Sequence, residues 1–136
     1  MTGEPSPAPR RFTRVARPSE GAIPEDYSRV KFRDSLEAIT TLLHHARIGG
    51  RDSFVRDSPA YASGSMVVIR IAALFETAEL SAYLGTTPEE ARRGIVTMRN
   101  IASHAGYRAM NDDVFWSTLT TLVPSLLDEW RRIAAD

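Results

Sequence analysis

The chain has 136 residues and a formal net charge of zero, with 17 basic and 17 acidic side chains. This length favours a single domain, and the neutral total does not require a nucleic acid or an acidic membrane as partner. The absence of cysteine excludes disulfides, thiolate catalysis and cysteine-ligated zinc. No stretch suits a transmembrane span or a secretory signal, so the sequence predicts a soluble, cytoplasmic protein with no membrane partner.

The N-terminal segment differs from the rest of the chain in composition. It is rich in proline, carries four arginines between positions 10 and 17, and has few large apolar residues. Such a segment buries too little surface to offset the entropy of ordering it. We therefore predict a flexible, disordered tail over residues 1–25 and a helical domain over residues 26–136. The tail arginines could bind RNA or an acidic partner, but a solvated tail is the commoner explanation.

Apolar residues at helical spacing predict a first helix from about Phe32. Asp34 and Glu37 are expected in its opening turns, where the helix dipole favours negative charge. The glycines of RIGG then end the helix. Its buried stripe is predicted to be Phe32, Leu36, Ile39, Leu43 and Ala46.

The second predicted helix occupies MVVIRIAALFETAELSAYL, after a connector, SFVRDSPAYASGS, with room for a short helical turn. The β-branched run MVVIRI would suit a strand in isolation, but its helical spacing continues beyond the length of a normal strand. The apolar stripe is wide, so we expect this helix to be central. Its members are Val67, Ile71, Leu74, Ala78 and Ala82, with Val68 and Phe75 beside them.

GTTPEEARRGI is the clearest local signal for the start of a helix. Thr87 can cap it, Pro88 suits the first helical position, and two glutamates complement the dipole. This helix should end near His104, because a glycine follows shortly afterwards. The residues expected to be buried are Ala91, Ile95, Met98 and Ala102.

The last predicted helix begins after a cap formed by Asn111 or Asp112. Pro124 lies within it and is expected to kink or break it. Its apolar stripe is Phe115, Leu119, Leu122, Leu126, Trp130 and Ile133. Four substantial helices, short connectors and no convincing strand predict an all-α fold, an antiparallel bundle of four to five helices.

The segment RNIASH, from Arg99 to His104, contains the residue types that metal-free RNA cleavage requires. A histidine can exchange a proton at neutral pH, and an arginine can stabilise a phosphate as charge builds on its oxygens. Asn100 shares a helix face with His104 and can orient it or bind phosphate. Three further arginines could extend the positive field along an RNA backbone: Arg92, Arg93 and Arg108.

The spacing within this segment raises a geometric question. Arg99 and His104 are separated by about 140° around a regular helix. They can act on one substrate if the helix loosens before Gly106, or if a second subunit completes the site, and a composite dimer site is the more natural solution. A basic residue near a helix C-terminus is also what the dipole favours, so a purely structural role is an alternative.

MRNIASH, placed between a helix that begins PEEARRGI and the segment NDDVFWSTLTTLVPSLLDEW, resembles the HEPN superfamily and, within it, the HepT-like toxins. The family signature is an arginine, usually followed by a polar residue, and then a histidine after four to six intervening positions. Arg99, Asn100 and His104 match that signature. FRDSLEAITTLL and VFWSTLTTLVPSLL are similar to the family's first and last helices, so the resemblance covers about residues 30 to 130.

The resemblance implies a HEPN-like bundle that forms a homodimer, with two copies of the motif at a shared cleft. It also implies a metal-independent endoribonuclease with no cofactor, acting as the toxin of a toxin–antitoxin system. The usual partner is a minimal nucleotidyltransferase antitoxin. In the alternative interpretation, the domain is a non-catalytic module of the same fold that binds a nucleotide or a partner protein. A third interpretation is an unrelated helical bundle in which the motif occurs by chance.

Tyr107 is a further candidate that the resemblance suggests. In HepT-like toxins the antitoxin attaches AMP to a tyrosine two residues after the motif histidine. Here Gly106 stands at that position and Tyr107 follows it. Modification of Tyr107 and a half-buried anchoring role for its ring are the two alternatives.

Overall fold

The computed structural model describes the backbone of residues 25–105 and 108–135, and the side chains of residues 27–104 and 108–135. The regular elements among these residues are all helical, with no strand, as the apolar periodicity predicts. The α-helices are α1 (Glu25–Arg47), α2 (Pro59–Phe75), α3 (Ser81–Leu84), α4 (Glu89–Asn100), α5 (Asp112–Ser117) and α6 (Val123–Ala135). Short 3-10 turns lie at Arg51–Ser53 and Ala78–Leu80. Two π-helical turns, Ile101–Ala105 and Thr118–Leu122, extend α4 and join α5 to α6. The predicted tail lies outside the described side chains.

Helix α1 buries the whole of its predicted stripe, from Phe32 to Ala46. It begins at Glu25, however, so Asp34 and Glu37 lie in its middle on the exposed side, and their expected place in the opening turns is wrong. Acidic residues on a solvent-facing surface do not by themselves mark a helix start. The helix ends at Arg47 as predicted, and Gly50 adopts a φ of 79° just beyond it.

Helix α2 begins earlier and ends earlier than the sequence analysis predicts. The Ser58 hydroxyl accepts a hydrogen bond from the Tyr61 N–H at 3.1 Å, and Pro59 occupies the first helical turn. SPAY is therefore a helix start within the predicted connector. Because α2 ends at Phe75, the predicted stripe stops there, and both Ala78 and Ala82 are exposed.

The central position predicted for α2 is confirmed. Val67, Val68, Ile71 and Leu74 are buried, and α2 packs extensively against both α1 and α4. The exposure of its charged residue Arg70 shows that a narrow face still reaches solvent. The helix thus forms the middle of the bundle.

Helix α4 buries Ala91, Ile95 and Met98 as predicted, and Ala102 beyond it is half-buried. The expected capping role of Thr87 is wrong, because Pro88 occupies the cap position. The Thr87 hydroxyl instead accepts a hydrogen bond from the Trp130 indole N–H at 3.0 Å. A buried indole N–H needs a hydrogen-bond acceptor, and the Thr87 hydroxyl provides it from a distant part of the sequence.

The last helical run is irregular at the predicted place. The Asn111 side chain caps α5 by accepting hydrogen bonds from the N–H groups of Asp113 and Val114, each at 3.1 Å. Pro124 follows the π turn Thr118–Leu122, so the helix widens rather than breaks. The extra residue in that turn rotates the buried face, and Val123 is fully buried where Leu122 was expected.

Helices α1 and α2 run antiparallel, as predicted. Lys31, near the start of α1, pairs with Glu79 beyond the end of α2 at 2.9 Å. Two groups of packed aromatic rings lie in different parts of the core. One group consists of Phe54, Tyr61, Phe115 and Trp116. The other consists of Phe32, Phe75, Tyr83 and Trp130.

Candidate functional site

Arg99, in the last turn of α4, is held from two sides. Its Nε donates a hydrogen bond to Asn100 Oδ1 at 2.8 Å, and its Nη2 donates to Glu76 Oε2 at 3.2 Å. Glu76 is the residue that terminates α2. The Arg99 side chain is 23% exposed. The guanidinium therefore lies between two helices and still reaches solvent.

The hydrogen bonds of Arg99 leave part of its donor capacity unused. A guanidinium has five N–H groups, and the two described bonds use one on Nε and one on Nη2. Nη1 donates to no described residue. The Nη1 end can therefore bind an anion, because the paired N–H groups of a guanidinium match the oxygens of a phosphate.

His104 lies in the π turn Ile101–Ala105 that extends α4, and its side chain is exposed. A turn closed by hydrogen bonds between residues five apart brings such residues toward one face. His104 is therefore rotated toward the side of Arg99 compared with a regular α-helix. The helix therefore loosens before Gly106 within a single chain. This is one of the two arrangements that would let Arg99 and His104 act on one substrate.

Asn100 contacts Arg99 and not His104. Its side-chain oxygen is occupied by the Arg99 Nε–H. Among the described residues, none forms a hydrogen bond or ion pair with the His104 ring. Asn100 therefore orients the arginine of the motif, whereas His104 is open to solvent or to a second molecule.

Arg92 lies on the same face of α4 as Arg99, because residues seven apart are aligned along a helix. Its guanidinium carbon lies 4.5 Å from the centre of the Phe75 ring, and its Nε lies 3.8 Å from Glu89 Oε1. Arg92 and Arg99 thus both reach the C-terminal end of α2. That end carries the negative pole of the helix dipole, which favours nearby cations.

The two other candidate arginines are exposed. Arg93 lies on α4, and Arg108 lies in the turn that precedes α5. In the part of the chain that the structure describes, neither forms an ion pair. Both guanidinium groups are therefore accessible to an external anion. Gly106 and Tyr107 lie outside the described residues.

A second charged cluster, which the sequence analysis did not identify, links the α1–α2 connector to the start of α5. Arg51 Nη2 lies 2.8 Å from Asp113 Oδ1, and Arg56 Nε lies 3.4 Å from Asp112 Oδ2. The hydroxyl of buried Tyr61 donates a hydrogen bond to Asp112 Oδ1 at 2.6 Å. Burial, together with the negative charge of Asp112, raises the pKa of that hydroxyl.

This cluster anchors the chain just after the motif. Arg56 Nη2 also donates to the Met110 carbonyl at 2.9 Å, so two residues of the connector hold residues 110–113. No periodic signal in the sequence could reveal it, because the partners lie in two distant stretches of the chain. Asp112 and Asp113 therefore combine an N-terminal helix position with tertiary ion pairs.

An apolar groove lies away from the motif, between the end of α1 and the start of α2. Its walls include His45, Ile48, Ser58 and Pro59. Within the described ranges, no three histidine, aspartate or glutamate side chains are grouped closely enough to hold a metal ion. No helix in these ranges is long and apolar enough to cross a membrane.

Comparison of the chain with protein-family models, with curated proteins and with solved structures finds no match. The HEPN resemblance therefore depends on the motif and on the order of the helices around it.

Proposed function

We propose that this chain is a HEPN-like, metal-independent endoribonuclease and the toxin of a toxin–antitoxin system. The observation that carries the proposal is the arrangement of Arg99. Its guanidinium is oriented by Asn100 and Glu76, its Nη1 end is open, and the same helical run ends in an exposed histidine. A phosphate-binding cation and an imidazole on one helical run supply the residue types that RNA cleavage requires.

In the proposed reaction, a neutral His104 imidazole takes the proton of a ribose 2′-hydroxyl. The 2′-oxygen attacks the adjacent phosphorus, and the bond to the 5′-oxygen breaks. The departing 5′-oxygen takes a proton from an acid, which the His104 imidazolium of a second subunit would supply. The products are a 2′,3′-cyclic phosphate and a free 5′-hydroxyl. Arg99 stabilises the additional negative charge on the phosphoryl oxygens during the attack.

The proposal includes a homodimer with two copies of the motif across one cleft, and neutralisation by a minimal nucleotidyltransferase antitoxin in the cytoplasm. Arg93 and Arg108, which are exposed, would bind phosphates on either side of the reacting one. Arg92 would reinforce the positive field from its position on the Phe75 ring.

One observation favours the alternative of a non-catalytic binding module. The charge of Arg99 is already balanced by Glu76 at 3.2 Å, as in a structural ion pair. In that case the same residues would hold a nucleotide or a partner protein without cleaving RNA. Purified protein that binds a nucleotide but cleaves no RNA under any condition would support this alternative.

The test compares induced expression of the wild type, Arg99→Ala and His104→Ala in bacteria. We expect the wild type alone to arrest growth and to produce RNA fragments with 2′,3′-cyclic phosphate ends, because both side chains are required for the chemical step. Cleavage by the purified protein should persist in excess EDTA. Growth rate and sequencing of fragment ends provide the measurements.

Arg131→Ala is the matched control, since Arg131 lies on α6 and pairs with Asp128. It should behave as the wild type. If all four proteins are soluble and have the same effect on growth and RNA, the nuclease proposal is wrong.

A further inference from the structure

We propose that Glu76 is a positioning residue for Arg99, holding the guanidinium so that its Nη1 end faces the reacting phosphate. This assignment rests on the proposed function, and it adds a residue from a different helix to the motif. The contact that supports it is the 3.2 Å hydrogen bond from Arg99 Nη2 to Glu76 Oε2.

Glu76 projects from a well-anchored backbone. Its N–H donates to the Ala73 carbonyl and the Thr77 N–H donates to the Leu74 carbonyl, each at 3.1 Å, which closes the last turn of α2. The Thr77 hydroxyl donates to the same Ala73 carbonyl at 2.8 Å. The carboxylate is 61% exposed, yet its point of attachment is held by the end of a central helix. Glu76 can therefore hold the Arg99 guanidinium in a fixed position relative to α2.

The location of this carboxylate is electrostatically unfavourable in two respects. Negative charge at the C-terminus of a helix opposes the helix dipole, and an acid beside an RNA site repels phosphate. An exposed ion pair adds little to folding stability. The favourable consequence of the Glu76 carboxylate is its effect on Arg99, because contacts from two elements restrict the rotation of this long side chain.

Without Glu76, Arg99 would be held by Asn100 alone. Asn100 is its chain neighbour, so it moves with the same turn and cannot fix the guanidinium relative to the rest of the molecule. A small displacement of a catalytic group costs much of the rate that correct orientation provides. Loss of Glu76 should therefore reduce turnover.

The same loss should have the opposite effect on RNA binding, because it removes a negative charge close to the phosphates. We expect kcat of Glu76→Ala to fall by about tenfold to a hundredfold, with KM unchanged or lower. Glu76→Gln should retain part of the turnover, since its amide oxygen can still accept the Nη2 hydrogen bond. A merely structural role would not separate kcat from KM in this way.

Glu79→Ala is the matched control. Glu79 is three residues further along, carries the same charge, and pairs with Lys31 at 2.9 Å rather than with the motif. The experiment measures kcat and KM on an oligoribonucleotide that the wild type cleaves, and affinity for its 2′-O-methyl analogue by fluorescence anisotropy. Thermal unfolding by circular dichroism confirms that each variant is folded.

A second readout does not depend on cleavage. The Nη–H resonances of Arg99, assigned by their loss in Arg99→Lys, should exchange slowly with solvent in the wild type and in Glu79→Ala. In Glu76→Ala they should exchange faster, because the Nη2 hydrogen bond is lost. If the wild type cleaves RNA while Glu76→Ala matches Glu79→Ala in both readouts, the positioning role is overturned and the nuclease proposal stands. If the wild type cleaves no RNA, the proposed function fails, and an unchanged Nη–H exchange rate in Glu76→Ala overturns the orienting role as well.

Discussion

The hydroxyl of Tyr61 joins the central helix to the segment that follows the motif. Its side chain is 1% exposed, and it donates a 2.6 Å hydrogen bond to Asp112, which also pairs with Arg56. A hydrogen bond to a charged acceptor contributes more than one between neutral groups. This single contact should therefore be measurable in the stability of the whole domain.

We expect Tyr61→Phe to lower the free energy of unfolding by about 1–2 kcal/mol near neutral pH, because Asp112 loses that donor. The raised pKa of Tyr61 means that the folded chain keeps a proton that the unfolded chain releases near pH 10. The stabilisation is therefore fully present below about pH 10 and declines as the pH rises above that value. Urea denaturation of both proteins between about pH 7 and pH 11 measures the difference, which should shrink at the alkaline end.

Tyr83→Phe is the control for this prediction. Tyr83 is also buried, but its ring stacks on Phe32 and its hydroxyl donates no described hydrogen bond. Equal losses in Tyr61→Phe and Tyr83→Phe, or a Tyr61 effect that is the same at every pH, would contradict the argument.

At the scale of elements, Gly64 is a point of close approach between α2 and its neighbours. A Cβ at this position would lie 2.7 Å from Leu119 Cδ1 and 2.9 Å from Phe54 Cε1. Gly94, on the exposed side of α4, has no such neighbour within 4 Å. A Cβ would therefore be too close to its neighbours at Gly64 but would have free space at Gly94, although both glycines lie within helices.

We expect Gly64→Ala to destabilise the domain by about 1–3 kcal/mol, because close-packed rings and a leucine must move. Gly94→Ala should stabilise it by about 0.5–1 kcal/mol, since alanine has the higher helix propensity and finds open space. Thermal and urea unfolding of both variants provide the measurement. A stabilising Gly64→Ala would show that α2 does not pack as closely as the structure indicates.

The helix boundaries show how local signals compete with packing. SPAY and TTPEE carry the same combination of a hydroxyl residue followed by proline, yet Ser58 caps its helix and Thr87 does not. Pro88 itself occupies the cap position of α4, and the Thr87 hydroxyl accepts the Trp130 indole N–H from another part of the chain. The two π turns likewise depend on the residues that pack against each helix, so helix propensity could not predict where they occur.

At the scale of the whole molecule, the formal net charge of zero provides no general attraction for RNA. Binding in the proposed function must then depend on local arginines. Arg93 and Arg108 are exposed and unpaired among the described residues, so they are available to phosphates.

We expect Arg93→Ala and Arg108→Ala each to reduce the slope of log K against log salt by about 0.7 for single-stranded RNA, the value for one lost phosphate contact. Fluorescence anisotropy over a range of salt concentrations measures that slope. Arg131→Ala should leave it unchanged, because Arg131 is on α6 and paired with Asp128. Slopes equal to that of the wild type would exclude both arginines from the RNA-binding surface.

The sequence by itself determined the helical class and the buried stripe of α1 from Phe32 to Ala46. It did so because burial of one helix face repeats with the helical period and needs no knowledge of the partner. It also singled out Arg99 and His104 as candidates, since their residue types and spacing suggest a chemistry. Tertiary structure alone decided that Glu76, 23 residues before Arg99, would hold the guanidinium. That contact exists only because α2 packs against α4, and no periodic or local pattern records which side chains such packing brings together.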